Sequence, residues 1–328
     1  MERLGASVDR PIIDVLRESA RPEFLQVPRY QIATGGKRIR AALAILSNRA
    51  AGGKLSSAVV PAAVVEMIHN YSLIIDDIID HARVRRSRPT LRAKYGDSFA
   101  LLAAMTYREA IERMLMNTAR SQEMTKIATR TMQDIIEGER LDMLFEQIPR
   151  PDPYHQSNRV GTVNMKEYLN MISLKTASLF RASCLLGALS ANGNRDLTDT
   201  LTHYGHYIGL AFQVRDDILD ILGGPTGKEK GKDLAEHKMG NIVVICYLEA
   251  CNGGERSKFL SVLRRKSVTS EHIRLMTEMI SETGAKEESQ RYLGLFVDRA
   301  KRSLQKLPSS RSRNELLEVA TLVATRSY

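Results

Sequence analysis

Three aspartates close a segment that is otherwise built to be buried. Residues 61–80, Pro-Ala-Ala-Val-Val-Glu-Met-Ile-His-Asn-Tyr-Ser-Leu-Ile-Ile-Asp-Asp-Ile-Ile-Asp, open on a proline suited to a first helical position and continue as a strongly apolar helical run. Asp76 and Asp80 stand at i and i+4, and His69 lies seven residues before Asp76, so all three fall on nearly one line of a helix. Carboxylates this close together on a buried helix cost several kcal/mol unless cations neutralise them. Hard oxygen ligands suit Mg²⁺, which bridges a few carboxylates to phosphate oxygens. One such motif is more often a solvated helix end. A second, Asp216-Asp217-Ile218-Leu219-Asp220, repeats the spacing after the apolar run Gly209-Leu-Ala-Phe-Gln-Val-Arg215, and two independent accidents of this kind are improbable. Bundles hold metals with inward-facing carboxylates, so the two stripes are expected to face one another.

The rest of the chain also predicts helix. Aromatics make up 5%, Trp is absent, and Ala, Leu, Ile, Met, Arg, Lys and Glu recur, so little or no strand is expected. Helical periodicity is broken by short turn signals at Gly52-Gly53, Pro149 to Pro153, Asn192-Gly193-Asn194, Gly223-Gly224-Pro225 and Asn252-Gly253-Gly254. No linker or internal repeat divides the chain, and 43% hydrophobic content is enough for a sizeable core. The expectation is one all-α domain over residues 1–328. The break at 222–233 carries Gly223, Gly224, Gly227, Lys228, Lys230, Gly231 and Lys232, a composition suited to a lid closing over phosphate. Taken alone it is more simply a solvated loop.

Anionic partners follow from charge: 48 basic against 38 acidic residues give a net +10. The cations cluster at Gly35-Gly36-Lys37-Arg38-Ile39-Arg40 and at Arg83, Arg85, Arg86 and Arg88, just after the first aspartates. Arginine offers phosphate a rigid fork, and a Gly-Gly step lets backbone amides approach an anion. Lys175 and Thr176 within Met171–Phe180, and Gln213 three residues before Asp216, are further polar groups on apolar helices that need partners. Nucleic acid is not expected, because the basic clusters lie beside carboxylates that would repel a phosphate backbone. Cys184, Cys246 and Cys251 form no C-x-x-C pair and read as reduced cytoplasmic thiols. Residues 1–30 do not read as a signal peptide, and no transmembrane segment is expected.

In order along the chain, GGKRIR, IHNYSLIIDDIIDHARVRRSRPT, LKTASLF, GLAFQVRDDILDILG, GKEKGKDLAEHK and LPSSRSRNELLEVATLVATRSY resemble the trans-type, head-to-tail isoprenyl diphosphate synthases, from about residue 30 to the C-terminus. The resemblance is most to a geranylgeranyl diphosphate synthase. It implies a bundle of long antiparallel helices around a deep cavity, a homodimer, two or three magnesium ions per site, and transient membrane contact for product release. It puts Asp76, Asp80 and Asp216 on magnesium, with Asp77, Asp217 and Asp220 in the same metal set as supporting residues or holders of bound water. By the same resemblance, Arg85, Lys175, Thr176, Gln213, Lys228 and Lys238 hold an allylic diphosphate of five to fifteen carbons. Gly36, Lys37, Arg40, His69 and Arg86 hold isopentenyl diphosphate.

The implied reaction ionises the allylic diphosphate, adds the alkene of isopentenyl diphosphate and loses a proton. An aromatic at Tyr71, beside Ser72, goes with a cavity floor that stops growth near C20. Helical phase alone places Tyr71 about 140° from Asp76, so its role as a floor rests on the resemblance. Four departures stand out. Ser87 replaces a usual Gly, Ala103-Ala104 stand where Gly-Asp is common, Asp142 stands where Gln ends the Glu-Gly-Glu segment, and Gly240-Asn241-Ile242 replaces Thr-Leu-Pro. The alternatives are a C15 or longer-chain synthase, a terpene cyclase or squalene-type synthase, and a non-catalytic partner subunit. A cyclase does not need the second diphosphate site, and loss of aspartates would mark the partner subunit.

Overall fold

Apolar helices with short capped turns set the architecture. The computed structural model describes residues 2–223 and 231–325; Lys228, with most of the expected lid segment, lies outside them. Among the described residues the chain is helical nearly throughout, and the only strands are Val84–Arg85 and Arg88–Pro89, two residues each. By its internal contacts the chain gathers into two compact units. One holds Met1–Gln133, Leu179–Gly205 and Leu304–Leu316; the other holds Asp134–Ser178, His206–Ser303 and Leu317–Tyr328. No linker marks the division, which falls inside helices such as Ser121–Leu144 and Arg195–Leu222.

In the first unit the first aspartate helix, Leu55–Ile79, packs against Ile39–Ala50 and Asp97–Met116. Ala62, Ala63, Val64, Met67 and Ile68 are buried on this helix, as are Ala41–Ile45 and Ala100, Ala103 and Ala104 on its two neighbours; small alanines suit a close approach of helices. Each large apolar side chain buried here contributes about 1.5–3 kcal/mol, and a Met67→Ala cavity costs about 2–5 kcal/mol. The proline reading needs correction: the helix begins at Leu55, so Pro61 lies inside it rather than at its start. Its missing N–H deprives the Ser57 carbonyl of a helical donor, a loss that falls at an exposed residue near the start of the helix.

In the second unit Ile242–Ala250 is buried from Ile242 to Leu248, the mark of a helix surrounded by others. The Asn241 side chain caps it by accepting from the Val243 N–H at 2.9 Å. It packs against Ala285–Ser303 and Met165–Ile172, the latter opened by an Asn164–Glu167 capping box.

Among the described residues two helices, Leu55–Ile79 and Met165–Ser190, are long and apolar enough to cross a membrane by length and composition; 67% of the apolar window of each is buried inside the protein, as in core helices.

Candidate active site

Both aspartate motifs fall at helix C-termini, where unpaired carbonyls already add negative potential. At the end of Leu55–Ile79 the chain reverses through His81, at φ 50°. The Ala82 N–H bonds to the Asp77 carbonyl at 3.0 Å and the His81 N–H to that of Ile78 at 3.3 Å, a Schellman closure. Asp76 and Asp80 are half-buried, while Asp77 is buried, 2% exposed, and accepts from Arg85 Nε at 2.9 Å.

Arg85 belongs to a hairpin of two short strands whose turn, Arg86-Ser87, has φ of 54° and 59° at its two residues. Two successive left-handed residues make the tight turn that suits strand twist. The hairpin docks on the Gly-Gly segment: Arg86 Nη1 donates to the Gly35 carbonyl, Arg88 Nη1 to that of Ala33 at 2.9 Å, and the Tyr30 hydroxyl to that of Pro89 at 2.9 Å. A Cβ on Gly36 would lie 2.5 Å from the Arg86 guanidinium, so glycine is what lets Arg86 lie against this backbone.

Arg40 donates to His69 Nε2 at 3.3 Å and stacks 4.6 Å from the Phe180 ring centre. Burial, then the charges of Arg40, Arg86, Arg85 and Arg38, holds the His69 imidazole well below its ordinary pKa, so it is neutral at pH 7 and accepts at Nε2. Gly36, Arg40, His69, Arg85 and Arg86 thus lie in one cationic neighbourhood; Lys37 is exposed, and Tyr71 and Ser72 are half-buried. The Ser72 hydroxyl is turned back to the His69 carbonyl at 2.9 Å. The sequence counted Arg38 only among the clustered cations and gave Glu66 no role; the two pair at 3.2 Å beneath this cluster, with Asp9 on Arg38 at 2.9 Å. A Glu in the middle of the run 61–68 was the available signal.

In the second unit one hydrogen-bonded chain joins the residues expected to bind substrate. The Thr176 hydroxyl donates to Gln213 Oε1 at 2.7 Å, and Gln213 Nε2 donates to Asp217 Oδ1 at 2.8 Å. Asp217 Oδ2 also accepts from the Tyr168 hydroxyl at 2.7 Å and the Ile242 N–H at 3.1 Å. Burial and the neighbouring Asp233 push the Asp217 carboxyl well above its ordinary pKa. Asp220 accepts from the N–H groups of Lys232 and Asp233 at 3.1 and 3.0 Å, and burial with Asp233 pushes it up to about 7. Asp216 is exposed. Tyr168 and Asp233 had no role assigned from the sequence, since nothing in their spacing marks them, and Asn241 stood out only as part of a departure from the family pattern.

Lys175 and Thr176 do not sit on a regular α-helix as read: Ser173–Ala177 is a π-turn, a form found often at functional sites. Gly138 lies against it, and a Cβ there would be 2.2 Å from the Lys175 nitrogen. Lys175 Nζ lies 2.6 Å from Asp142 and 2.7 Å from Glu139, and Lys238 Nζ lies 3.4 Å from Asp142 and 3.2 Å from Glu236.

Among the described residues no three acidic, histidine or cysteine side chains form a ready-made metal cluster. The fit to magnesium is of another kind. Each motif puts carboxylates one helical turn apart at the negative end of a helix, and Asp220 is destabilised as an anion by burial. Mg²⁺ takes one or two protein carboxylates and fills its octahedron with water and phosphate oxygens, so the residues present suit it.

With this geometry established, the comparisons agree with one another. The polyprenyl synthetase family model matches residues 21–280. The chain belongs to the polyprenyl synthetase family. It is 31% identical to a geranylgeranyl diphosphate synthase of Methanosarcina mazei, over 99% of this chain and 96% of that protein. It is 28% identical to heptaprenyl diphosphate synthase component 2 of Bacillus subtilis, over 98% and 87%. A polyprenyl synthase from Caulobacter crescentus CB15, solved with calcium and isoprenyl diphosphate, superposes with a TM-score of 0.85 at 28% identity, covering 98% of this chain and 94% of that one. For a polyprenyl synthetase, Asp77 and Asp217 are notable: both are buried and already hold protein donors, while Asp76, Asp80, Asp216 and Asp220 keep more of their surface.

Proposed function

We propose that this chain is a prenyl-transferring enzyme that condenses an allylic diphosphate with isopentenyl diphosphate, with geranylgeranyl diphosphate, C20, as product. The observation that carries the reading is that both aspartate motifs are intact at helix ends and each lies in the same unit as cations able to hold phosphate. Family membership and the geranylgeranyl relative support it.

Asp76, Asp80, Asp216 and Asp220 would hold magnesium; bound there, the metal neutralises charge growing on the departing pyrophosphate. Arg85 and Asp77 fix one another, which aims the guanidinium. Lys175, Thr176, Gln213, Lys228 and Lys238 hold the allylic diphosphate, and their cationic groups stabilise the leaving group as the C–O bond breaks. Arg40, Arg86, Gly36 and Lys37 hold the second diphosphate intact. Neutral His69, its Nε2 occupied by Arg40, offers its other nitrogen as a donor. The alkene of isopentenyl diphosphate attacks the allylic carbon, and the released pyrophosphate takes the proton, so no protein nucleophile is needed. Apolar helix faces exclude water from the cation.

Tyr71 is proposed as the floor that limits growth to C20. A homodimer is proposed from Leu101, Leu102 and Met105, three large apolar side chains exposed on Asp97–Met116; light scattering at micromolar protein reads its mass directly. The reading of function is tested by incubating purified protein with both diphosphates, with and without a chelator. Elongation that stops on chelation and returns with Mg²⁺ supports it, and elongation indifferent to the chelator refutes the metal roles.

A further inference from the structure

The region around Lys175 holds a carboxylate that the reaction does not use. Asp142 is buried, 6% exposed, and its Oδ2 lies 2.6 Å from Lys175 Nζ and 3.4 Å from Lys238 Nζ. One oxygen therefore faces two ammonium groups that come from distant parts of the sequence. The backbone prepares each of them. Gly138, one turn before Asp142, lets helix Ser121–Leu144 press against the π-turn that carries Lys175. Beyond that helix, the Gln147 N–H bonds to the His237 carbonyl at 2.8 Å and the Met239 N–H to that of Phe145 at 3.3 Å, which pins the Lys238 segment beside it.

The flanking acids divide the remaining charge: Glu139 takes Lys175 at 2.7 Å, and Glu236 takes Lys238 at 3.2 Å. Burial alone would raise the Asp142 carboxyl, yet the two lysines hold it well below the usual carboxylate range. Two like charges brought this close repel unless an anion stands between them. Asp142 is that anion before substrate binds, and a diphosphate reaching the outer faces of both ammonium groups finds them already placed.

We propose that Asp142 is a positioning residue that fixes Lys175 and Lys238 as a pair for the allylic diphosphate. The inference rests on the prenyl-transfer reading above, so the test has a binding arm independent of turnover. Calorimetry with inorganic pyrophosphate and Mg²⁺ on Asp142→Asn is expected to show affinity lower than wild type by on the order of tenfold or more. In steady-state kinetics the same variant raises KM for the allylic substrate while KM for isopentenyl diphosphate stays within about twofold. Asp142→Glu recovers part of the loss. In a Lys175→Ala background the substitution costs much less than in wild type, because its partner is gone.

Wild-type pyrophosphate affinity in Asp142→Asn, or a loss of the same size with and without Lys175, would overturn the proposal. Absence of pyrophosphate binding by the wild type would overturn it too. Pyrophosphate binding with these dependences but no elongation would instead sink the prenyl-transfer reading alone.

Discussion

The Tyr168 hydroxyl donates to Asp217 Oδ2 at 2.7 Å, deep in the second unit where Asp217 is 3% exposed. The middle aspartate of the second motif is thereby tied to Met165–Ile172, and through the Ile242 N–H to the buried helix that begins there. Tyr168→Phe removes one of the donors Asp217 accepts and is expected to cost about 1–3 kcal/mol, read as a lower urea midpoint with unchanged slope. An unchanged midpoint contradicts the anchoring role.

Asp216 is exposed and Asp76 half-buried, so their replacement removes little packing. Asp76→Ala and Asp216→Ala should each leave the circular dichroism spectrum and melting temperature near wild type while lowering kcat by on the order of a thousandfold or more. Retained turnover in either variant refutes its metal role.

Much of this was legible in the sequence, and the reason is periodicity. Asp76, Asp80 and His69 share a helical line whatever the tertiary structure does, and the cationic cluster around His69 was visible as two short basic runs. Pro61 misled because a first-turn position is its commonest place in a helix, whereas here the helix had already begun at Leu55. The π-turn at Ser173–Ala177 was invisible, since it depends on the close approach of Gly138 from another helix. The pairing of Asp142 with Lys175 and Lys238 was hidden for the same reason: the three residues are scattered along the sequence, and Asp142 stood out only as a departure from the family pattern. Gly240-Asn241-Ile242, another departure, proves productive, because Ile242 donates an N–H that a proline at that position lacks.

Ser87 carries φ of 59° in the hairpin turn, a conformation that disfavours residues with a Cβ. Ser87→Gly is expected to stabilise the protein by about 1 kcal/mol, measured by chemical unfolding. A loss of stability would mean that the serine side chain compensates the strain.

His69 supplies a pH dependence with a definite sign. Its folded pKa lies well below the ordinary imidazole value, so the unfolded chain binds the proton more readily. Stability contributed by neutral His69 is fully present above pH about 6.5 and is lost as pH falls below that value. His69→Gln should flatten this part of the stability–pH profile between pH about 5 and 7. In wild type the His69 ring signals should stay those of a neutral imidazole at pH 6, and protonation there contradicts the arginine-rich surroundings.

The central claim is the condensation itself and where it stops. Labelled isopentenyl diphosphate with a C15 allylic diphosphate and Mg²⁺, followed by chromatography of the dephosphorylated products, is expected to give one C20 alcohol as the dominant species. Incorporation into longer chains would refute the Tyr71 floor while leaving the chemistry. No incorporation with a C5, C10 or C15 primer would contradict the account at its root.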